Sequence, residues 1–171
     1  MLDCGACGIL VPHVTSAEKA RKIAAACRYR NGTRGFVGMS RAAGWGRTTR
    51  SEHMSRQDSE VARIATIEDP HAVPLTRDIA MVEGIDAVFV GQGDLTATLE
   101  GQANVEDRVE DYVRQVADAL KAANVPLMMI PKGPSRVAEA YGMNANALVI
   151  SSDHGFLHSA ATKALQAHKA G

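Results

Sequence analysis

Short apolar runs separated by helical segments are the feature that most constrains this chain. A run of about four to seven residues without regular polar alternation is typical of a strand buried on both faces. Such strands, each followed by a helical segment, predict parallel β-α-β units and an α/β fold class. The predicted strands span residues 9–14, 61–67, 87–90, 126–130 and 147–150.

The segments between the runs carry helix signals. Ser16 is placed to cap a helix that reaches about Arg28. The remaining predicted helices span residues 71–81, 105–123, 135–141 and 156–170. The stretch Gly38 to Glu60 differs, since it is rich in glycine, arginine and hydroxyl groups and has little apolar periodicity. It is expected to be a solvated loop, or an excursion ordered by a ligand or a neighbouring subunit.

Composition excludes several classes of protein. The chain has 171 residues, which suggests one domain with a real hydrophobic core. A formal net charge of zero and an aromatic content of 4% argue against nucleic-acid or membrane-surface binding. No apolar run is long enough to cross a bilayer, and the N-terminus lacks the features of a signal peptide. The three cysteines cannot all pair, which indicates a reducing, cytosolic location.

Cys4 and Cys7 form a C-x-x-C pair, a spacing used by redox and zinc sites. A redox pair is expected at the start of a helix, whose dipole lowers the pKa of a thiol. A structural zinc site needs further ligands, such as a second pair. This pair precedes a predicted strand and has no second pair. We interpret it as incidental, with a redox protein as the weaker alternative.

Two acidic residues follow successive predicted strands. Glu68 comes directly after the 61–67 strand, and Asp94 lies in Gly91-Gln92-Gly93-Asp94 after the 87–90 strand. Parallel strands place their carboxyl ends at one edge, so neighbouring ends would be roughly 5 Å apart. Two carboxylates at so short a distance repel each other unless a cation or a proton lies between them. Mg²⁺ or Mn²⁺ would offset this repulsion. The alternatives are two solvated caps, or an acid–base pair without metal.

Four stretches then resemble a known family. "LDCGACGILVPHV", "ATIED", "VEGIDAVFVGQGDLTATLE" and "ALVISSDHGFL" follow, in order, the pattern of the HpcH/HpaI aldolase/citrate lyase family. The similarity is greatest to its class II pyruvate aldolases of the 4-hydroxy-2-oxoheptanedioate type. It implies a TIM-type (β/α)₈ barrel of the phosphoenolpyruvate/pyruvate type. Residues 1–171 would be a single C-terminal portion of that barrel, with roughly the last five strands.

The resemblance also implies an activity. Glu68 and Asp94 match the residues that hold a divalent metal, Mg²⁺ or Mn²⁺ with Co²⁺ as a further candidate. The metal chelates pyruvate and stabilises its enolate, so that 4-hydroxy-2-oxoacids are made from, or cleaved to, pyruvate and an aldehyde. The backbone N–H groups of Gly93 and Asp94 would contact the pyruvate carboxylate. Family members are commonly hexameric, with the final helix packed on a neighbouring subunit, so a homo-oligomer is implied.

Two departures from the family pattern matter. The residue two before the metal-binding Glu is often a Gln that holds substrate, whereas here it is the shorter Thr66. Met1 falls just before the fourth barrel strand of the pattern, so the general-base His and the carbonyl-polarising Arg of the family are expected to be missing. No catalytic residue is therefore assigned, and impaired activity is expected. The alternative is a non-catalytic metal- or oxoacid-binding or assembly protein derived from the barrel.

Four histidines of this chain do not match the catalytic position of the family. We interpret them as surface or core residues: His13, His53, His71 and His154.

Overall fold

The computed structural model describes residues 1–169, and a parallel five-stranded sheet forms its centre. The strands are β1 (Gly8–Val11), β2 (Ala62–Ile67), β3 (Ala87–Val90), β4 (Leu127–Met129) and β5 (Ala145–Leu148). Each strand pairs in parallel with the next one along the chain. Sequential order without reversal is the order of a (β/α) barrel, whereas a doubly wound sheet reverses it. The predicted α/β class is confirmed.

Seven α-helices lie among the described residues. They are α1 (Ala17–Cys27), α2 (Arg50–Glu60), α3 (Thr76–Ala80), α4 (Gln92–Thr98), α5 (Val105–Ala123), α6 (Val137–Gly142) and α7 (Asp153–Lys169). Short 3-10 turns occur at Leu2–Cys4, Gly44–Gly46, Pro70–Leu75 and Pro134–Arg136. Ser16 caps α1 as predicted, because its side chain accepts a hydrogen bond from the Lys19 N–H at 3.1 Å. None of the described helices has the length and apolarity needed to cross a membrane.

The hydrophobic core lies between the sheet and the helices on one of its faces. Alternate strand residues enter this core, among them Ile67, Val90 and Leu127, together with Leu120 of α5. The intervening residues turn to the other face of the sheet. There Thr66 pairs with Phe89, and Phe89 pairs with Met128, in one row across three strands. At the carboxyl edge of the sheet this second face continues with Glu68, which follows Thr66 by two residues.

The boundaries of several elements differ from the predictions. β1 ends at Val11 because Pro12 has no N–H to donate and His13 adopts a left-handed φ of 54°. The 71–81 segment is a 3-10 turn followed by α3, since Pro74 interrupts a regular helix. β5 lies two residues earlier than predicted. There the Asn146 side chain accepts a hydrogen bond from the Leu127 N–H at 3.0 Å, beside a register shift.

The final helix begins at Asp153, three residues earlier than predicted, and its predicted last residue, Ala170, lies outside the described residues.

The prediction of a loop from Gly38 to Glu60 was wrong for its second half. α2 occupies residues 50–60, and Thr49 and Glu52 form a capping box at its start. The Thr49 side chain accepts from the Glu52 N–H at 3.3 Å, and Glu52 accepts from the Thr49 N–H at 3.0 Å. The T-x-x-E spacing was the available signal. Apolar periodicity failed because the buried residues of α2 are the polar His53 and Gln57.

His53 is the centre of a small aromatic cluster that anchors α2. Its Nε2 lies 3.1 Å from the Tyr29 hydroxyl oxygen, and its ring centroid lies 6.0 Å from that of Phe36. His53 is fully buried, which confirms its interpretation as a core histidine. Burial, reinforced by the nearby Arg34 and Arg56 guanidinium groups, lowers the pKa of His53. The folded protein therefore favours the neutral imidazole.

This shift predicts a loss of stability in mild acid. In the unfolded chain His53 titrates near its ordinary pKa of about 6.5. The stabilisation from a neutral His53 is thus present above that pH and is lost as the pH falls toward the lower folded pKa. His53→Phe keeps a buried ring but cannot titrate, so its free energy of unfolding should fall less between pH 7 and pH 5 than that of the wild type. Urea unfolding at both pH values measures the difference.

The exposed His158 provides the matched control. His158→Gln should keep the wild-type pH dependence. Parallel pH profiles for His53→Phe and the wild type would contradict the assignment.

Candidate active site

The strands that carry the two predicted metal ligands are neighbours. Ile67 of β2 pairs with Val90 of β3, so Glu68 and Gly91 lie level at the carboxyl edge of the sheet. The Gly91 N–H donates to the Ile67 carbonyl at 2.9 Å and extends the pairing to this edge. The metal hypothesis required these two strand ends to be neighbours, and the structure places them so.

Glu68 packs directly against the backbone of Gly91. Its side chain is buried, with 6% of the residue exposed. A Cβ built on Gly91 would lie 2.6 Å from the Glu68 Cβ and 2.7 Å from its Oε2, closer than atoms can approach. Only glycine at position 91 lets the backbone lie this close to the Glu68 side chain. The Oε2 atom of Glu68 faces the end of β3.

The other carboxylate oxygen of Glu68 is held by the loop after β1. The His13 N–H donates to Glu68 Oε1 at 2.7 Å, and the His13 Nδ1 lies 3.4 Å from the same oxygen. The imidazole also lies 3.2 Å from Asp69 Oδ2. His13 is a surface residue as predicted, with 58% of its side chain exposed, but its place at the site was missed. Its position after a strand was the one available signal.

Asp94 lies one helical turn beyond Gly91. No helix was predicted between residues 90 and 105, but α4 begins at Gln92, so Asp94 is exposed in the first turn of a helix. The Gln92 side-chain amide donates to the Ile130 carbonyl at 3.1 Å and ties this turn to the end of β4. Gly93 faces open space, with no atom within 4 Å of a Cβ built on it. Glu68 and Asp94 thus share an edge, and metal binding by them stays a prediction.

Thr66 has a buried hydroxyl with no hydrogen-bond partner among the described residues. It is 1% exposed and lies on the same strand face as Glu68, with its methyl carbon 3.3 Å from a Cβ built on Gly91. A buried polar atom without a partner is unfavourable by roughly 1–3 kcal/mol. An oxygen-bearing ligand at this edge would satisfy the Thr66 hydroxyl.

The residues at this edge fit a hard cation shared with a substrate. A buried carboxylate and an exposed carboxylate supply oxygen atoms of the kind that Mg²⁺ or Mn²⁺ prefers, and the unpartnered Thr66 hydroxyl lies on the same strand face. Within residues 1–169, no three His, Cys, Asp or Glu side chains are grouped to enclose a metal. Such a cation would therefore take its other ligands from water and substrate, as Mg²⁺ commonly does.

Other candidate residues lie away from this edge. Cys4 and Cys7 are exposed free thiols before β1, at the opposite end of the strand from the loop that holds Glu68. His71 and His154 are exposed, as predicted for surface histidines.

Comparison with known proteins finds relatives of this chain. The family model of HpcH/HpaI aldolase/citrate lyase matches residues 1–141. A 2-keto-3-deoxy-L-rhamnonate aldolase from Klebsiella pneumoniae is 33% identical over 90% of this chain and 58% of its own length. A 4-hydroxy-2-oxovalerate aldolase from Rhodococcus jostii is 39% identical over 72% of this chain and 49% of its own length. The chain thus spans about half to three fifths of these relatives.

A solved structure supports the fold. The crystal structure of an HpcH/HpaI aldolase/citrate lyase family protein from Burkholderia cenocepacia superimposes with a TM-score of 0.85 at 27% identity. The match covers 98% of this chain and 67% of that one. The five β/α units of this chain therefore correspond to a part of a barrel, as predicted.

The contact between Gly91 and Glu68 predicts a sharp difference between two nearby glycines. Gly91→Ala forces a methyl group against the Glu68 side chain, and overpacking of this kind is destabilising by about 1–3 kcal/mol. Gly93→Ala places the same methyl group in open space on a helix, where alanine is neutral or slightly stabilising. Urea unfolding of both variants measures the difference. Equal stability of the two variants would contradict the packing described here.

Proposed function

The chain belongs to the HpcH/HpaI aldolase/citrate lyase family, and on this basis we propose that it is a divalent-metal-dependent aldolase of 4-hydroxy-2-oxoacids. In the cleavage direction the bond between carbons 3 and 4 breaks, releasing pyruvate and an aldehyde. The main supporting observation is the buried Glu68, which shares the carboxyl edge of the sheet with Asp94. The names of the relatives, both aldolases, agree with this reaction class.

We place a divalent cation at Glu68 and Asp94, with Mg²⁺ or Mn²⁺ preferred and Co²⁺ as a further candidate. When bound, it would act as a Lewis acid on the keto group of pyruvate. The two carboxylates supply its negative ligands. Burial of Glu68 strengthens its attraction for a cation, since a partly desolvated carboxylate has lost much of its stabilisation by water.

The other edge residues are proposed to bind the substrate. The Gly93 and Asp94 N–H groups would donate to the pyruvate carboxylate, and the open space at Gly93 leaves room for it. The Thr66 hydroxyl would donate to a substrate oxygen and so satisfy its own hydrogen-bonding capacity. Phe89 and Met128, level with Thr66 on the same face, would form an apolar floor that excludes water.

We expect this chain by itself to turn over slowly. None of its residues is assigned as general base, and a positioned base typically contributes about 10²–10⁴-fold to a rate. Proton exchange at the methyl group of pyruvate is a suitable test, because it needs only pyruvate and the metal and does not depend on which aldehyde the chain accepts.

The proposal predicts metal-dependent exchange of the pyruvate methyl protons with D₂O, followed by proton NMR in the presence of Mg²⁺ or Mn²⁺. Glu68→Ala and Asp94→Ala should each abolish the metal-dependent exchange. Glu100→Ala, which removes an exposed carboxylate just beyond α4, should leave it unchanged. Metal binding by the folded wild type without any exchange would instead favour a non-catalytic metal- or oxoacid-binding protein.

We also propose that the chain forms a homo-oligomer through α7. None of the described residues of this helix is buried. Phe156, Leu157 and Leu165 are 60%, 71% and 57% exposed, and with the alanines at 160, 161 and 164 they line one side of the helix. A contiguous exposed apolar stripe of this kind marks a protein–protein contact. A second copy of the chain would cover it.

Charge placed on this stripe should dissociate the oligomer. Leu157→Glu buries a carboxylate in the proposed contact and should shift the mass toward the monomer in size-exclusion chromatography with light scattering. Gln166→Glu adds the same charge to the other side of α7 and should leave the mass unchanged. A wild-type monomer, or the same mass for both variants, would contradict an interface on this stripe.

A further inference from the structure

We infer that His13 is a positioning residue that sets the orientation of the Glu68 carboxylate through its main-chain N–H. The hydrogen bond from His13 to Glu68 Oε1 leaves Oε2 facing the end of β3. The inference rests on the proposed function only in taking Glu68 as a metal ligand. It assigns a role to a loop that is separated from Glu68 by 55 residues in the chain.

The conformation of His13 is what directs its N–H toward Glu68. Its φ of 54° lies in the left-handed region, which few residues other than glycine adopt. Such a conformation is unfavourable by itself and persists when the surrounding contacts compensate for it. The contact it makes is a short one, 2.7 Å, from an N–H to a carboxylate oxygen. Hydrogen bonds to an ionised acceptor are about twice as strong as those between neutral groups.

The chain holds His13 in place on both sides. The Lys19 ammonium group, in the first turn of α1, donates to the His13 carbonyl at 2.7 Å. The next residue, Val14, is fully buried, and its N–H donates to the Thr66 carbonyl at 3.1 Å. The His13 backbone is thus held between α1 and β2 by two hydrogen bonds that do not involve the imidazole.

The two carboxylate oxygens of Glu68 therefore have different environments. Oε1 accepts the His13 hydrogen bond, and Oε2 lies against Gly91 at the end of β3. Hydrogen bonds from a neighbouring residue orient a metal-binding carboxylate, and their loss typically weakens metal binding by about 10–100-fold. Loss of the His13 contact should let Glu68 rotate away from the metal position.

Two substitutions of His13 separate the main-chain N–H from the imidazole. His13→Gly removes the imidazole but retains the N–H and accepts a positive φ. His13→Val retains the N–H but, being β-branched, disfavours a positive φ and so turns the N–H away from Glu68. The measurement is Mn²⁺ affinity by water-proton relaxation, with thermal unfolding to establish that each variant is folded.

We expect Mn²⁺ to bind His13→Gly within about threefold of the wild type and His13→Val about tenfold more weakly. The exposed His71 gives a matched control, and His71→Val should bind Mn²⁺ as the wild type does. Wild-type affinity in a folded His13→Val, or equal weakening in both His13 variants, would overturn the role of the main-chain N–H.

Lys19 provides a second test that leaves His13 intact. Lys19→Met removes the hydrogen bond to the His13 carbonyl and should weaken Mn²⁺ binding about threefold or more, and Lys19→Arg should restore it. Lys22→Met, on the same helix and paired only with Glu18 among the described residues, is the control and should have no effect. Unchanged binding in Lys19→Met would count against the inference.

These tests also separate this inference from the proposed function. Mn²⁺ binding that depends on Glu68 but is indifferent to the His13 and Lys19 substitutions would overturn the role of His13 alone. A wild type with no Mn²⁺ binding that depends on Glu68 would overturn both.

Discussion

Parallel pairing between β2 and β3 places the candidate site where it is, because it brings two strand ends to one edge. Ile67 and Val90 are partners in this pairing, and the hydrogen bond from the Gly91 N–H to the Ile67 carbonyl extends it to the edge. A shift of one residue would turn Glu68 to the opposite face of the sheet. The apolar residues of β2 and β3 that enter the core resist such a shift.

Burial of the Glu68 carboxylate is a second constraint, and the local structure is arranged around it. A buried charge is strongly unfavourable unless hydrogen bonds or an opposite charge compensate for it. The His13 N–H supplies one hydrogen bond, and the neighbouring strand end has a glycine, Gly91, whose backbone lies against Oε2. A cation at this oxygen would complete the compensation. The same features that make Glu68 unfavourable alone thus make it a suitable ligand.

Elements with strong local signals were predicted well. β3 and α5 have the predicted bounds, since one is a continuous apolar run and the other a long amphipathic helix. α2 was missed because it buries a histidine and a glutamine, which periodicity of apolar residues does not detect. β5 lies two residues earlier than predicted because its pairing with β4 is decided by the Asn146 side chain and a register shift rather than by hydrophobicity.

The sequence by itself determined the α/β class, the parallel β-α-β units and the two carboxylates that follow β2 and β3. These properties depend on residue types and short-range spacing, which can be read along the chain. Only the tertiary structure decided that Gly91 contacts Glu68, that the Thr66 hydroxyl is buried without a partner, and that His13 holds Glu68. Each of these depends on strand register and on backbone conformation across distant segments. Contacts between residues 55 positions apart leave no local pattern in a single sequence.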